Sequence, residues 1–476
     1  MLFLDGAARA YPFFAPRLVP NSIAGPTDPE VAAIVYNPAA LGPLRGLHLQ
    51  IEGSARVHEG SIDRANDAGS APINWTDFDS FAGLSWDVQT DSFTIGLAVY
   101  TPLTDLTSFD PTSPVRYQAM HSRFFSFEQS AAAAFRITSR FYIGAGANFA
   151  ENWLDYSFAR DAALQGGSQL VAQPNALCNG MPCGFENPLA QQTMRLRGFN
   201  WGVGFSVGVL VRPVDRLWMG LSYVSHIFNT GRGGDFPLSD ATRPRLQPAN
   251  GQPQVCWNGA GSPGIPGAGS NGVPACNDLV TITIPDMIQL GTRVEINSRF
   301  DIEGEARWIH YGERQSIDVS FQGGYLPQVA NDPQASVPNR FLLDRGFQDA
   351  FAFEVSGRWR IGEHWRLSPS VVFETSAVDA TAVNAASIDA NKLDVALTAE
   401  WKPTRHLRFG GHVGATAFIL GDAGQRFDPN AQVACVDAKG DLAACQAYNN
   451  GDALPSAAGQ YTYVIVHAGL AMGVDF

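Results

Sequence analysis

The sequence predicts an all-β protein, a transmembrane antiparallel β-barrel of about 14 strands with a small N-terminal hatch, or plug, inside the lumen. Three observations carry the prediction. Apolar and polar residues alternate along segment after segment, short links alternate with long ones between those segments, and the last residue, Phe476, stands in register with an apolar stripe.

Length and composition agree with a barrel. A chain of 476 residues suggests about three ordinary domains, but a closed sheet grows by adding strands rather than cores. Hydrophobic residues make up 45% of the chain, yet no run of 18 uncharged apolar residues occurs, which argues against helical membrane spans. A mean hydropathy of −0.06 suits a wall that hides its apolar face in alternation. The formal charge of −13 and pI near 5.1 disfavour a nucleic-acid partner, since phosphate binding needs a basic stripe.

The alternation is clearest in the second half. Leu393, Val395, Leu397, Ala399 and Trp401 form one face, against Lys392, Asp394, Thr398 and Glu400 on the other. Phe351, Phe353, Val355, Trp359 and Ile361 stand against Glu354, Ser356, Arg358 and Arg360, and Phe300, Ile302, Ala306 and Trp308 against Asp301, Glu303, Glu305 and Arg307. A soluble sandwich also alternates, so connection lengths decide. Candidate strands lie at 47–58, 80–88, 92–101, 122–137, 140–158, 194–213, 216–229, 279–296, 299–317, 350–361, 364–376, 391–401, 405–420 and 460–476. Short links such as Thr138-Ser139, Asn297-Ser298 and Gly362-Glu363 alternate with long ones beginning near 59, 102, 159, 230, 318, 377 and 421, the order of periplasmic turns and external loops. The cysteines pair closely as Cys178 with Cys183, Cys256 with Cys276 and Cys435 with Cys445. All fall in external loops, so three disulfides are expected and no metal site.

Residues 1–45 form the expected plug domain and 46–476 the barrel. Asp28-Pro29-Glu30 reads as an N-cap with proline at the first helical position, Val31–Tyr36 as a short helix, and Asn37-Pro38 as its stop. Met1–Leu4 is too short for the apolar part of a signal peptide, while Ala8-Arg-Ala10 resembles the end of a cleavage site, so the chain is expected to start within its signal or near its mature end.

Two motifs fail their structural conditions. Gly204-Phe-Ser206-Val-Gly208 matches a nucleophile elbow but lies within one alternating strand, and Gly267-Ala-Gly269-Ser-Asn-Gly272 matches a dinucleotide fingerprint within a Pro-rich loop. No catalytic residue and no cofactor is expected. On the inward faces Arg293, Arg307, Arg358, Arg360, Arg366 and Arg408 stand among carboxylates, either as an ion-pair ladder or as candidates to hold an anionic head group.

The motifs in order resemble the outer-membrane long-chain fatty acid and hydrocarbon transporter family (FadL/TodX-like). They are Val35-Tyr-Asn37-Pro38-Ala39-Ala-Leu41, Ile95-Gly96-Leu-Ala-Val-Tyr100-Thr-Pro102-Leu103, Leu217–Ser225, Ile284–Gly291 and Glu305–Trp308. The resemblance implies a monomeric channel for passive uptake of hydrophobic small molecules in the bacterial outer membrane. Asn37, Pro38 and Ala39 would be its hatch motif, and a kink in the third strand at Gly96, Tyr100 and Pro102 its lateral outlet. Ligand would be captured by the loops near 159–193 and 230–278. Outer-membrane lipid is a further expected partner, and the barrel-assembly machinery another, through Phe476. The competing readings are a general diffusion porin for polar solutes, which the charged lumen would suit, and an outer-membrane enzyme or adhesin, for which the sequence offers no Ser or Asp beside a His.

Overall fold

A computed structural model describes residues 25–65, 68–161, 174, 178–183, 186–229, 236–243, 254–257, 279–280, 284–313, 316–320, 340–344, 346–380, 382–420 and 457–476. Among them, fourteen strands run antiparallel round a closed wall. They are β1 (Leu47–Arg64), β2 (Ser70–Trp86), β3 (Phe93–Ser108), β4 (His121–Thr138), β5 (Phe141–Asp161), β6 (Gln191–Val214) and β7 (Leu217–Val224), followed by β8 (Met287–Glu295), β9 (Phe300–Ile309), β10 (Ala350–Ile361), β11 (Trp365–Glu374), β12 (Lys392–Trp401), β13 (Leu407–Phe418) and β14 (Gly459–Asp475). Each pairs with the next, and β14 returns to β1 from His48 opposite Asp475 to Arg64 opposite Gly459. Phe476 donates to the Leu47 carbonyl at 2.8 Å and Leu47 donates back at 3.2 Å, so the last residue completes the seam. Closure leaves neither a first nor a last strand unpaired, as a sheet in hydrocarbon requires.

The wall is inside-out relative to a soluble protein. On β12, Leu393, Val395 and Leu397 are exposed outward while Lys392, Asp394 and Thr398 are buried toward the lumen. Replacing Val395 by arginine therefore puts a charge against lipid. Near the bilayer midplane this should lower barrel stability by about 2–4 kcal/mol in urea unfolding from vesicles, whereas arginine at the inward Thr398 should cost far less.

The expected bounds of β1 and β2 fell short, for one physical reason. β1 continues to Arg64 and β2 already begins at Ser70, so the expected long loop near 59 is a short turn closed by the Arg64 amide on the Gly69 carbonyl at 3.0 Å. In this outer stretch Ile62, Ala71, Ile73 and Trp75 are buried inward, and Glu59, Asp63, Ser70 and Asn74 are exposed. Above the membrane the outside of the barrel meets water, the alternation inverts, and an apolar-out template passes over it. β3 likewise extends to Ser108. β7 stops at Val224, β8 starts only at Met287 beyond Pro285, and β9 ends at Ile309. Short strands at Phe228–Asn229, Phe236–Arg243, Gln254–Trp257, Leu279–Val280, Ser316–Ser320 and Arg340–Asp344 add to the sheet.

The N-terminal helix is shorter than expected. It spans Ala33–Tyr36, and its N-cap position falls on Ala32, which has no side chain to cap it, while the Asp28 carboxylate meets two barrel arginines instead. Asn37 ends it and caps the 3-10 turn Pro38–Leu41 that follows.

Candidate functional site: the occupied lumen and the break in its wall

Residues 25–44 pack against inward side chains from strands around the barrel. Val31–Tyr36 and Ala39–Leu41 are buried in one apolar cluster with Phe81 of β2, Tyr100 of β3, Ala132 of β4, Tyr142 of β5, Leu210 of β6, Trp218 of β7, Met287 of β8 and Ile309 of β9. Asn37 fixes the position of this segment. Its side-chain carbonyl accepts the Ala39 amide at 3.1 Å, and its amide donates to the Pro26 carbonyl at 2.6 Å and to the Val209 carbonyl of β6 at 3.1 Å.

Glycines make room for it. Gly144 of β5 and Gly208 of β6 face each other across the ladder. A Cβ on Gly144 would lie 2.3 Å from the Ala39 nitrogen, and one on Gly208 would lie 1.9 Å from the Asn37 side-chain oxygen. The pair forms a notch that takes the Asn37 side chain and the Pro38-Ala39 backbone, a close approach only glycine permits.

Charges tie the same segment down at the short-turn end. Asp28 meets Arg293 at 3.1 Å and also Arg358, which in turn bonds Asp301 at 2.6 Å and Glu303 at 2.8 Å. Glu30 meets Arg366 at 2.9 Å, and Thr27 donates to Glu303 at 2.5 Å. Burial alone would raise the Glu30 carboxyl, but Arg366, Arg408 and Arg358 hold it down at about 2. Its part in docking the segment is thus whole above pH 4.5 and is lost only as the pH falls towards 2.

Of the six arginines singled out in the sequence, five are brought together. Arg293, Arg358, Arg360, Arg366 and Arg408 line one cavity of about 270 Å³, with Asp28 and Glu30 in its wall. Arg307 stands apart, bonded to Glu305 and, at 2.7 Å, to Glu354.

The outer half of the lumen is different in character. Ile73, Trp75, Phe124, Leu154, Tyr463 and Ile465 of the wall form an apolar cluster with Phe109 and Val115 from one loop and Val378, Val383 and Ile388 from another. The second loop is anchored by Lys392, which is buried and meets Glu374 at 2.9 Å and Asp389 at 2.7 Å. Burial pushes the Asp389 carboxyl up despite Lys392. At this end Cys178 and Cys183 form a disulfide with Cα atoms 5.4 Å apart. Cys276, Cys435 and Cys445 lie outside the described residues, and with them the other two expected bridges. Most of the expected capture loops, and the Gly267–Gly272 motif, lie outside them too.

The wall itself is interrupted beside that cluster. β2 and β3 pair only from Trp86 opposite Ile95 to Phe81 opposite Tyr100. There β3 shifts register against β4, two residues, Thr101 and Pro102, standing opposite one. The Ser80 amide donates to the Thr101 hydroxyl at 2.8 Å in place of a backbone partner. Beyond it, among the described residues, Ser70–Asp79 pair with β1 alone. Tyr100, at the last paired position, donates to Glu128 at 2.7 Å. Gly96 faces the N-terminal segment, where a Cβ would lie 2.7 Å from Ile34.

A closed fourteen-stranded barrel with an apolar outer face and its charged side chains turned inward is an integral protein of the bacterial outer membrane. Residues 22–410 match the family described as "Outer membrane protein transport protein (OMPP1/FadL/TodX)", and the chain belongs to that family. A long-chain fatty acid transport protein of Escherichia coli O6:H1 is 23% identical over 215 residues, 44% of this chain and 41% of that protein's length. The crystal structure of a Pseudomonas aeruginosa FadL homologue superposes with a TM-score of 0.66 at 15% identity, covering 94% of this chain and 95% of its own. The Pseudomonas putida toluene transporter TodX gives 0.59 at 12%, covering 94% of each chain, and the Ralstonia pickettii toluene transporter TbuX gives 0.58 at 13%, covering 95% and 98%.

Sequence reasoning missed Asp28 and Glu30 as partners of the lumen arginines, because it used Asp28 as a helix cap. It also missed the glycine notch. The signal was present: Gly144 and Gly208 occupy inward positions of strands whose other inward residues include Asn148, Asn152, Asn200 and Ser206. The last glycine of the apparent nucleophile motif, Gly208, is one wall of that notch.

Proposed function

We propose that the protein is a passive channel by which hydrophobic small molecules, long-chain fatty acids or related hydrocarbons, cross the outer membrane. Ligand enters at the long-loop end, and residues 1–45 act as the plug. It leaves past the plug or sideways at the third-strand kink formed by Gly96, Tyr100 and Pro102. The observation that carries this reading is the apolar lumen cluster, whose Ile73 and Trp75 lie on the stretch of β2 that has no β3 partner. A pore for polar solutes has no use for apolar side chains turned inward beside a break in its wall. The names of the relatives support the same substrate class, one being a long-chain fatty acid transport protein and two being toluene transporters. Phe476, 67% exposed on the outward face, is proposed as the mark read by the barrel-assembly machinery, and the inserted barrel as a monomer.

The test is transfer of laurate and of toluene into proteoliposomes, for the full chain and for a variant lacking Thr101. Removing one of two bulged residues restores one-for-one pairing with β4 and should let β2 and β3 zip further. Transfer should fall several-fold while the folded barrel keeps its fast gel mobility. Unchanged transfer would leave release past the plug as the route. No transfer of either compound, with steady ion flow through the full chain, would favour the general diffusion porin.

A further inference from the structure

The chain carries a formal charge of −13, yet one part of its short-turn rim is basic. The β4–β5 and β6–β7 turns lie side by side, the Arg212 amide donating to the Arg140 carbonyl at 2.8 Å. Together they carry Arg136, Arg140, Arg212 and Arg216 against the carboxylate of Asp215. Arg140 spans the two turns, meeting Asp215 at 2.8 Å and donating to the Pro213 carbonyl at 3.3 Å, and Arg212 donates to the Asp215 carbonyl at 3.1 Å. Both members of the Arg140–Asp215 pair are exposed, and such a pair holds weakly in water. Among the described residues, the Arg136 and Arg216 side chains meet no carboxylate. The flanking turns carry Asp87 and Asp91 on one side and Glu295 with Arg299 on the other, and Glu295 accepts from the Trp218 indole at 3.0 Å. Further round the rim Arg360 meets Asp301 at 3.0 Å and Lys402 meets Glu400 at 3.4 Å.

The residues between the arginines set the depth of this patch. Phe135 and Ile137 bracket Arg136, and Val214 lies two residues before Arg216, all three apolar side chains being exposed. Phe93 packs on Phe135 with ring centroids 4.8 Å apart, an aromatic pair of the kind that marks the edge of the hydrocarbon. An apolar stripe that continues to the turn tips keeps those tips at the membrane surface. The guanidiniums then lie at head-group depth, and a long arginine side chain on a wall one strand thick reaches the lipid beside it. We propose that the β4–β5 and β6–β7 turns bind the phosphate of an anionic phospholipid in the leaflet on the short-turn side, with Arg136, Arg140, Arg212 and Arg216 as its donors. A guanidinium fits a phosphate with two parallel N–H bonds, and a cluster of arginines at a bilayer surface attracts anionic lipid. A zwitterionic head would bring its own ammonium against four guanidiniums, so a lipid of net negative charge is preferred. The site concerns how the barrel is seated in the bilayer and stands apart from the channel reading.

The experiment is native mass spectrometry of barrels released from vesicles of equal parts phosphatidylglycerol and phosphatidylethanolamine, counting the lipid each barrel keeps. It compares the wild type, the double variant Arg136→Gln/Arg216→Gln, and Arg405→Gln on another short turn, each checked for the compact gel mobility of a folded barrel. The wild type and Arg405→Gln should keep phosphatidylglycerol in preference to phosphatidylethanolamine. In the double variant that preference should fall roughly fivefold for each arginine removed. Equal retention of the two lipids by the wild type, or a double variant as selective as the wild type, would overturn the site. Two competitors separate the sources of the anion. Displacement of the lipid by millimolar inorganic phosphate would show a site for free phosphate instead, and displacement by polyglutamate a surface for an acidic protein; either would overturn the lipid assignment.

Discussion

Gly144→Val is expected to convert a barrel silent to ions into a conducting one without unfolding it. Valine suits a strand, and Gly144 lies in regular pairing with Gly208, so the wall itself loses nothing. The added atoms point inward, where the first of them would lie 2.3 Å from the Ala39 nitrogen and 2.4 Å from the Pro38 carbonyl carbon. Those are backbone atoms, and they cannot turn aside as a flexible side chain would. The segment must leave the notch, taking Asn37 away from the Val209 carbonyl and Asp28 from Arg293. Conductance in planar bilayers measures the outcome, with gel mobility as the control for folding. A silent Gly144→Val barrel would mean that residues 25–44 do not block the passage.

Lys392→Met should be the most costly single change in the outer half. It removes the cation that meets both Glu374 and Asp389, leaving two buried carboxylates facing each other's charge, a loss of about 3–5 kcal/mol in urea unfolding from lipid vesicles. The loop that carries Val378, Val383 and Ile388 into the apolar cluster should become open to protease at the same time. The sign of the pH effect follows from Asp389, whose carboxyl burial already pushes up. A group that holds its proton more firmly when folded favours the fold as the pH falls, so the deficit of Lys392→Met should shrink on acidification. A loss below about 1 kcal/mol, the scale of an exposed ion pair, would show that the loop is not anchored there.

The membrane part of this fold was legible because lipid imposes a rule that leaves a mark on every second residue. Leu393, Val395 and Leu397 could be assigned to one face from the letters alone, and Phe476 to the end of a stripe. Where lipid ends, the rule ends, and the outer halves of β1 and β2 went unread because Ile62, Ile73 and Trp75 are apolar toward the lumen instead. The arginines of the site could be named, since an arginine on the lipid face is too costly. Their partners could not be. Asp28 and Arg293 are 265 residues apart, and only the closed wall makes them neighbours. Alternation puts Gly144 and Gly208 on inward faces, but only the ladder that sets them opposite each other, with Asn37 between, makes them a notch.

If the N-terminal segment closes a channel for hydrophobic molecules to ions, its removal should open that channel. The most direct test is single-channel conductance of the full chain and of a chain lacking residues 1–42, with laurate transfer measured on the same preparations. The full chain should transfer laurate while remaining silent to ions, and the shortened chain should conduct steadily. A full chain that conducts as steadily as the shortened one would contradict it.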